Sequence, residues 1–259
     1  MNFKIASSNI RFDNPQDGSH DWNGRRGILA QCLNEFAPDL LGTQEGREPQ
    51  LKDLENNLIK LELVDSHREW IDERMYPCIF VNPETIEVHN SGDIWLSETP
   101  YEAGSKSFES AFPRLCTWII ATHKESQEKF FYVNTHLDHV LSQTRKEQIR
   151  VLIQECDKVN KENLPVVLTG DFNESPFEDV RKVIHDQWSD LRDCWFTLKK
   201  EEETSHHNFN GTREDGTRID WILTSSNFRV YDLELYKENV DGIYPSDHFP
   251  VFGIYSIGH

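Results

Sequence analysis

The chain has 259 residues, with 27 Lys+Arg against 45 Asp+Glu, for a net charge of −18. That length fits one large α/β domain able to bury roughly 70% of its unfolded surface, so a core needs no disulfide or metal staple. The acidic balance works against loose attraction to long duplex nucleic acid, although a local basic patch or bound divalent cations would offset it.

Cys32, Cys78, Cys116, Cys156 and Cys194 are odd in number, widely spaced and without a CxxC pair. Buried small hydrophobes are therefore expected, not a disulfide framework or zinc knuckle. No signal-peptide pattern and no apolar run long enough to span a bilayer is present, so a cytoplasmic location is the expectation. With no repeat, low-complexity tract or long linker, residues 1–259 read as a single domain.

Along the chain, 3–10 reads as a strand, 24–36 as a helix and 39–44 as a short buried strand. From Cys78 to His136 the texture becomes β, with 86–95, 116–123 and 130–136 resembling a meander. Ile149, Leu152, Ile153, Cys156 and Val159 recur at helical spacing, with Thr144 and Glu147 placed as a capping box. Val166, Val167 and Leu168 form a continuous apolar run, as in a central strand covered on both faces, with Gly170 allowing a sharp exit. Strands over 219–223, 228–235 and 251–257 complete a strand-rich α/β chain of two packed sheets with helices outside.

Polar residues fall at the ends of these apolar segments, where burial alone does not call for them. Asn9 in SSNIR ends the first strand, and Glu45 in LLGTQE sits at the mouth of a buried strand, suited to a hard cation. In YVNTHLDH, alternation puts Tyr132, Asn134 and His136 on one side of a strand. LTGDFNESP places Asp171 and Asn173 in a tight turn, an oxygen-rich pair that fits Mg²⁺ or Mn²⁺ better than zinc. Near the C-terminus come Asp220 in RIDWIL and Asp247-His248 in YPSDHFPV. An Asp touching a His fixes its tautomer and raises its basicity. Taken singly, each has an ordinary structural reading: a strand-end hydrogen bond, a solvated acid, a sheet histidine or a metal-free turn. His20, His67, His89, His123, His185 and His259 lack a comparable setting and read as surface residues.

Taken in order, SSNIR, GTQE, NTHLDH, GDFN, RIDWI and SDHFPV resemble the motif series of the endonuclease/exonuclease/phosphatase superfamily over essentially the whole chain. NIRFDNPQDG, DIWLSETP and FPRLCTW further resemble the branch with carbon-catabolite-repression deadenylases, nocturnin and bacterial hydrolases. The resemblance implies a four-layer α/β/β/α sandwich with the site at strand ends between the sheets, and one or two Mg²⁺ or Mn²⁺ ions. It implies Glu45 and Asp247, with Asn9, at the metal and Asp171 on the attacking water. Asn9, Asn173, His136 and His248 would contact phosphate, and Asp220 would pair with His248. Arg114 in FPRLC is a further candidate phosphate contact, with a structural arginine as the alternative. Where relatives carry a Thr-Phe-His-Gly-Phe-like stretch this chain reads Ser205-His206-His207-Asn208-Phe209, and His207 is taken as the retained imidazole.

The implied activity is metal-dependent phosphoester hydrolysis, with a nuclease or nucleotidase acting on RNA, single-stranded nucleic acid or a small nucleotide foremost. The alternatives are a phosphatase or phospholipase-type hydrolase of a phosphoinositide or other phosphorylated small molecule, and a non-catalytic binding module with the same fold. No protein partner is inferable.

Overall fold

A computed structural model describes residues 3–258. In chain order the strands are β1 (Phe3–Asn9), β2 (Leu40–Gly46), β3 (Glu62–Leu63), β4 (Tyr76–Val81), β5 (Ile86–Trp95), β6 (Leu115–His123), β7 (Lys129–His136), β8 (Val166–Asp171), β9 (Arg192–Asp193), β10 (Asp220–Thr224), β11 (Phe228–Leu235) and β12 (Val251–Ile257). The helices are α1 (Trp22–Phe36), α2 (Glu48–Asn57), α3 (Ser142–Val159), α4 (Asp179–Gln187) and the one-turn α5 (Cys194–Thr197). Two six-stranded sheets result, ordered β11-β12-β1-β2-β4-β3 and β5-β6-β7-β8-β10-β9. The expected four-layer α/β/β/α sandwich and the β5–β7 meander are therefore present.

Period-two alternation within strands separates the layers. Ile5, Leu40, Ile79, Tyr132, Val167 and Ile222 point between the sheets, with Phe3 and Tyr255. Their neighbours Ala6, Leu41 and Phe80 turn outward onto α1 and α2 through Leu29, Leu33, Leu51 and Leu54. Phe131, Val133, Leu168 and Trp221 turn onto α3 and α4 through Ile149, Leu152, Val180 and Ile184. All five cysteines are buried and unpaired.

The helix termini have identifiable causes. Asp21 caps α1 by accepting from Gly24 N at 2.9 Å, and Ala37 ends it in the left-handed region at φ 50°. The expected Thr144/Glu147 capping box does not form. The helix starts at Ser142, Thr144 Oγ1 donates to Phe108 O, and Asp138 Oδ2 takes the Val140 and Leu141 amides at 2.8 and 2.9 Å. Gly170 is not the exit from β8 either. The strand runs on to Asp171 and turns at Asn173 (φ 51°), while a Cβ on Gly170 would lie 2.4 Å from Thr135 O of β7. Close strand packing, not a turn, requires glycine there.

Beneath the strand ends a polar seam joins the sheets. Gln44 Nε2 and Thr169 Oγ1 donate to Asn134 Oδ1 at 2.8 and 3.0 Å, and Asn134 Nδ2 donates to Thr43 O and Cys78 O, both at 2.8 Å. A Cβ on Gly42 would meet Asn134 Oδ1, Thr169 Oγ1 and Tyr132 Oη, each at 2.6 Å. Gly42→Ala is therefore expected to cost about 1–3 kcal/mol through overpacking and broken seam bonds, read as a lower urea midpoint; an unchanged midpoint would show that the seam yields freely.

The surface reading fails for some histidines. His123 is buried. His67 Nε2 lies 3.3 Å from Asp93 Oδ1, in a cluster where Arg68 donates to Asp93 Oδ1 and Oδ2 at 2.6 and 2.7 Å and Thr117 Oγ1 adds a bond of 2.7 Å. His20 is half-buried and its ring lies 4.6 Å from that of Phe209. His259 lies outside the described residues.

Candidate active site at the strand ends between the sheets

Two parallel strand pairs aim their C-terminal ends at one point. β1 pairs with β2 in parallel, delivering Asn9 and Glu45, and β7 pairs with β8 in parallel, with His136 opposite Asp171. Antiparallel β10 sets its first residue, Asp220, against Asp171 on the other side, so His136, Asp171 and Asp220 form one row across three strands. The loop before β12 brings in Asp247 and His248. Glu45 sits beside a bulge of β2 with φ 69°, a backbone departure that re-aims its carboxylate out of the sheet.

Asn9 connects the two sheets: its Nδ2 donates to Glu45 Oε1 at 3.1 Å and to Asp171 Oδ2 at 2.9 Å. Asp171 Oδ1 accepts from Asn173 N at 2.9 Å, and Asn173 Nδ2 lies 3.0 Å from His136 Nε2. His248 Nδ1 meets Asp220 Oδ2 at 2.8 Å, while its Nε2 is 3.9 Å from Asp171 Oδ2. The residues from Asn9 to His248 thus converge in one place.

Burial and the neighbouring Asp220 push the Asp171 carboxyl up to about 7. Burial alone would depress His248, but Asp220, Asp171 and Asp247 outweigh it and raise the imidazole to about 10. His136 is held well below its ordinary value by burial, with Arg114 and His248 adding to the effect. Burial opposes ionisation of Asp247 too, yet His248, Arg11 and His206 keep it low. One imidazole is thus held cationic and another neutral within a single cleft.

Ligand atoms of Glu45, His136 and Asp171 lie within 4.8 Å of one another, as do those of Asp171, Asp220 and His248 and those of His206, Asp247 and His248. Four carboxylates, Glu45, Asp171, Asp220 and Asp247, run through these groups beside three imidazoles, and every cysteine lies elsewhere, a carboxylate-rich set that suits a hard divalent cation. A cation here would also compensate the buried carboxylates, of which Asp220 Oδ1 has no hydrogen-bond partner.

Arg114 is buried beside the site, its Nη1 2.9 Å from His136 Nδ1. Of the tandem histidines, His206 has the ring facing the cleft, with Nε2 3.8 Å from Asp247 Oδ2 and a backbone bridge to His248. His207 is packed face to face on Phe249, centroids 3.9 Å apart, and its Nδ1 accepts from Gly211 N. The imidazole expected at His207 thus lies one residue from the ring that faces the cleft: successive side chains point opposite ways, and composition cannot tell the two apart.

Sequence reasoning also passed over two arginines. Arg11 holds Asp17 through two bonds and lies 3.8 Å from Asp247. Arg25, fully buried on α1, donates to the carbonyls of His20, Ile10, Arg11 and Pro245, tying the loops after β1 and before Asp247 together. Nothing local separates Arg25 from its neighbour Arg26, which reaches the surface and pairs with Asp53.

No helix among the described residues is long and apolar enough to cross a membrane. No curated protein matches the sequence. Among solved structures, the mannosyl-6-phosphatase of Bacteroides thetaiotaomicron superposes with a TM-score of 0.89 at 28% identity, covering 98% of this chain and 100% of its own. An endonuclease/exonuclease/phosphatase protein of Bacteroides vulgatus gives 0.91 at 27% identity, with 99% of each chain covered. The human nocturnin catalytic domain, at 20% identity and a TM-score of 0.73 over 99% of this chain and 93% of its own, shares the fold. The profile of the Endonuclease/Exonuclease/phosphatase family matches residues 6–248, so this chain belongs to that family and is a metal-dependent phosphoester hydrolase.

Proposed function

We propose that the protein is a Mg²⁺- or Mn²⁺-dependent phosphatase that removes a phosphoryl group from a small phosphorylated molecule of the sugar-phosphate type. The observation that carries this reading is the likeness, over the full length of both chains, to a mannosyl-6-phosphatase. A net charge of −18 agrees with it, since a small anionic substrate is neutralised by a few local groups whereas a long polyanion meets the whole field.

In this reading Glu45 and Asp247, with Asn9, hold the cation, which when bound neutralises the non-bridging phosphate oxygens. Asp171 accepts a proton from the attacking water and holds it in line. His248, kept protonated by Asp220, faces the developing charge, and Asn173 and His136 donate to phosphate oxygens. The attacking water needs a fixed acceptor, which Asp171 supplies, and the charge that develops on the phosphoryl oxygens needs a fixed donor, which His248 supplies 3.9 Å away on the same wall of the cleft.

A second reading, cleavage of short single-stranded nucleic acid, draws support from the exposed Phe112, whose ring lies 5.8 Å from that of His139 beside Arg114, a surface on which a base could stack. Steady-state assays with Mg²⁺ or Mn²⁺ on mannose 6-phosphate, other hexose phosphates, oligo(A) and single-stranded DNA separate the two. The hexose phosphates are expected to have the higher kcat/KM; turnover confined to the oligonucleotides would replace the first reading with the second.

A further inference from the structure

Arg114 is buried beside the cleft yet makes no ion pair among the described residues, its guanidinium facing two imidazoles instead: Nη1 is 2.9 Å from His136 Nδ1 and Nη2 is 3.4 Å from His139 Nδ1. A guanidinium carries five donors and no acceptor. His136 Nδ1 must therefore present its lone pair, and the ring proton of the neutral imidazole must sit on Nε2. On that side Asn173 Nδ2 lies 3.0 Å away, a second donor, but a neutral ring can accept at one nitrogen only; the amide has another acceptor in Leu137 O at 3.1 Å while Arg114 Nη1 has His136 Nδ1, so the proton falls to Nε2, 3.4 Å from Asp171 Oδ2. His248 is built the other way round, with a carboxylate, Asp220, on its Nδ1.

We propose that Arg114 is a positioning residue that holds His136 as its Nε2–H tautomer, making that ring a fixed donor toward Asp171 and a bound phosphate oxygen and closing it to metal ions. A metal-binding Nε2 needs a free lone pair, and such histidines usually donate their other ring N–H to a carboxylate or carbonyl. Arg114 supplies the opposite partner. The cation is then left to oxygen ligands, which deepens the metal-dependent hydrolase reading; the tautomer itself does not depend on that reading.

The test is a two-bond ¹H–¹⁵N correlation spectrum of protein labelled at histidine nitrogens, with His136 assigned by its loss in His136→Gln. The wild type is expected to show His136 protonated at Nε2 alone, before and after saturation with Mg²⁺. Arg114→Lys, which keeps a donor, is expected to preserve that pattern and most of the activity. Arg114→Met is expected to admit the Nδ1–H form and to lower kcat about 10- to 100-fold, the usual span for a partner that orients a site group. A proton on Nδ1 in the wild type would overturn the proposal even if Arg114→Met does not fold, as would loss of the Nε2 proton with Mg²⁺ or an unchanged tautomer in a folded Arg114→Met. Failure to hydrolyse any phosphoester would bear on the function and leave the spectrum to decide this point.

Discussion

Asp171→Ala and His248→Ala are each expected to lower metal-dependent hydrolysis on the order of a hundredfold or more. Asp171 is buried at the centre of the cleft, bonded to Asn9 of the other sheet and to Asn173 in the turn after its own strand, so its loss removes both the acceptor for water and one of the links between the sheets. His248 is the imidazole held protonated, by Asp220 behind it and with Asp171 in front. Because both serve one step, the double variant should fall little below the weaker single one. The measurement is kcat/KM on an aryl phosphate and an aryl phosphodiester with Mg²⁺, with and without chelator. Unchanged rates in both single variants would remove the cleft from the chemistry.

Asp93→Ala is expected to cost about 3–5 kcal/mol of folding stability, because it leaves the Arg68 guanidinium, 1% exposed, without its counter-charge. Arg68 lies between β3 and β4, and its bonds to Asp93 and Thr117 fasten that segment to the second sheet. The pair also carries a pH signature. Burial opposes ionisation of Asp93, but hydrogen bonds from His67 and Arg68 override it and hold the carboxyl at about 2. A depressed folded-state value means that the stabilisation is fully present above the unfolded value of about 3.9 and fades as pH falls from there toward 2. About 2 kcal/mol should be lost across that window, and urea titrations at its two ends should show a smaller loss in Asp93→Asn. Equal pH dependence in both proteins would contradict the assignment.

The layers were readable in the sequence because alternation is a local signal. Leu40 and Leu41, Ile79 and Phe80, and Val167 and Leu168 face opposite ways, as period two requires. The helix α2 was not readable: two buried leucines, Leu51 and Leu54, are too few to mark a face. Asn9, Glu45, Asp171, Asp220 and His248, which the fold brings together, stand out in the sequence because each interrupts or follows an apolar run. Arg25 and His206 do not stand out, because their contacts come from what folds over them, the carbonyls of distant loops for one and the Asp247 loop for the other. Thr144 and Glu147 fit a capping pattern that Asp138 makes unnecessary.

β12 lies between β11 and β1 although it comes last in chain order among the described strands. The second sheet, complete by Thr224, carries His136, Asp171 and Asp220, whereas Asp247 and His248 lie in the loop that leads into β12, which is paired with β1 on one side and β11 on the other. The pair that completes the cleft is therefore anchored to a strand held from both sides, and its placement depends on the whole first sheet being assembled.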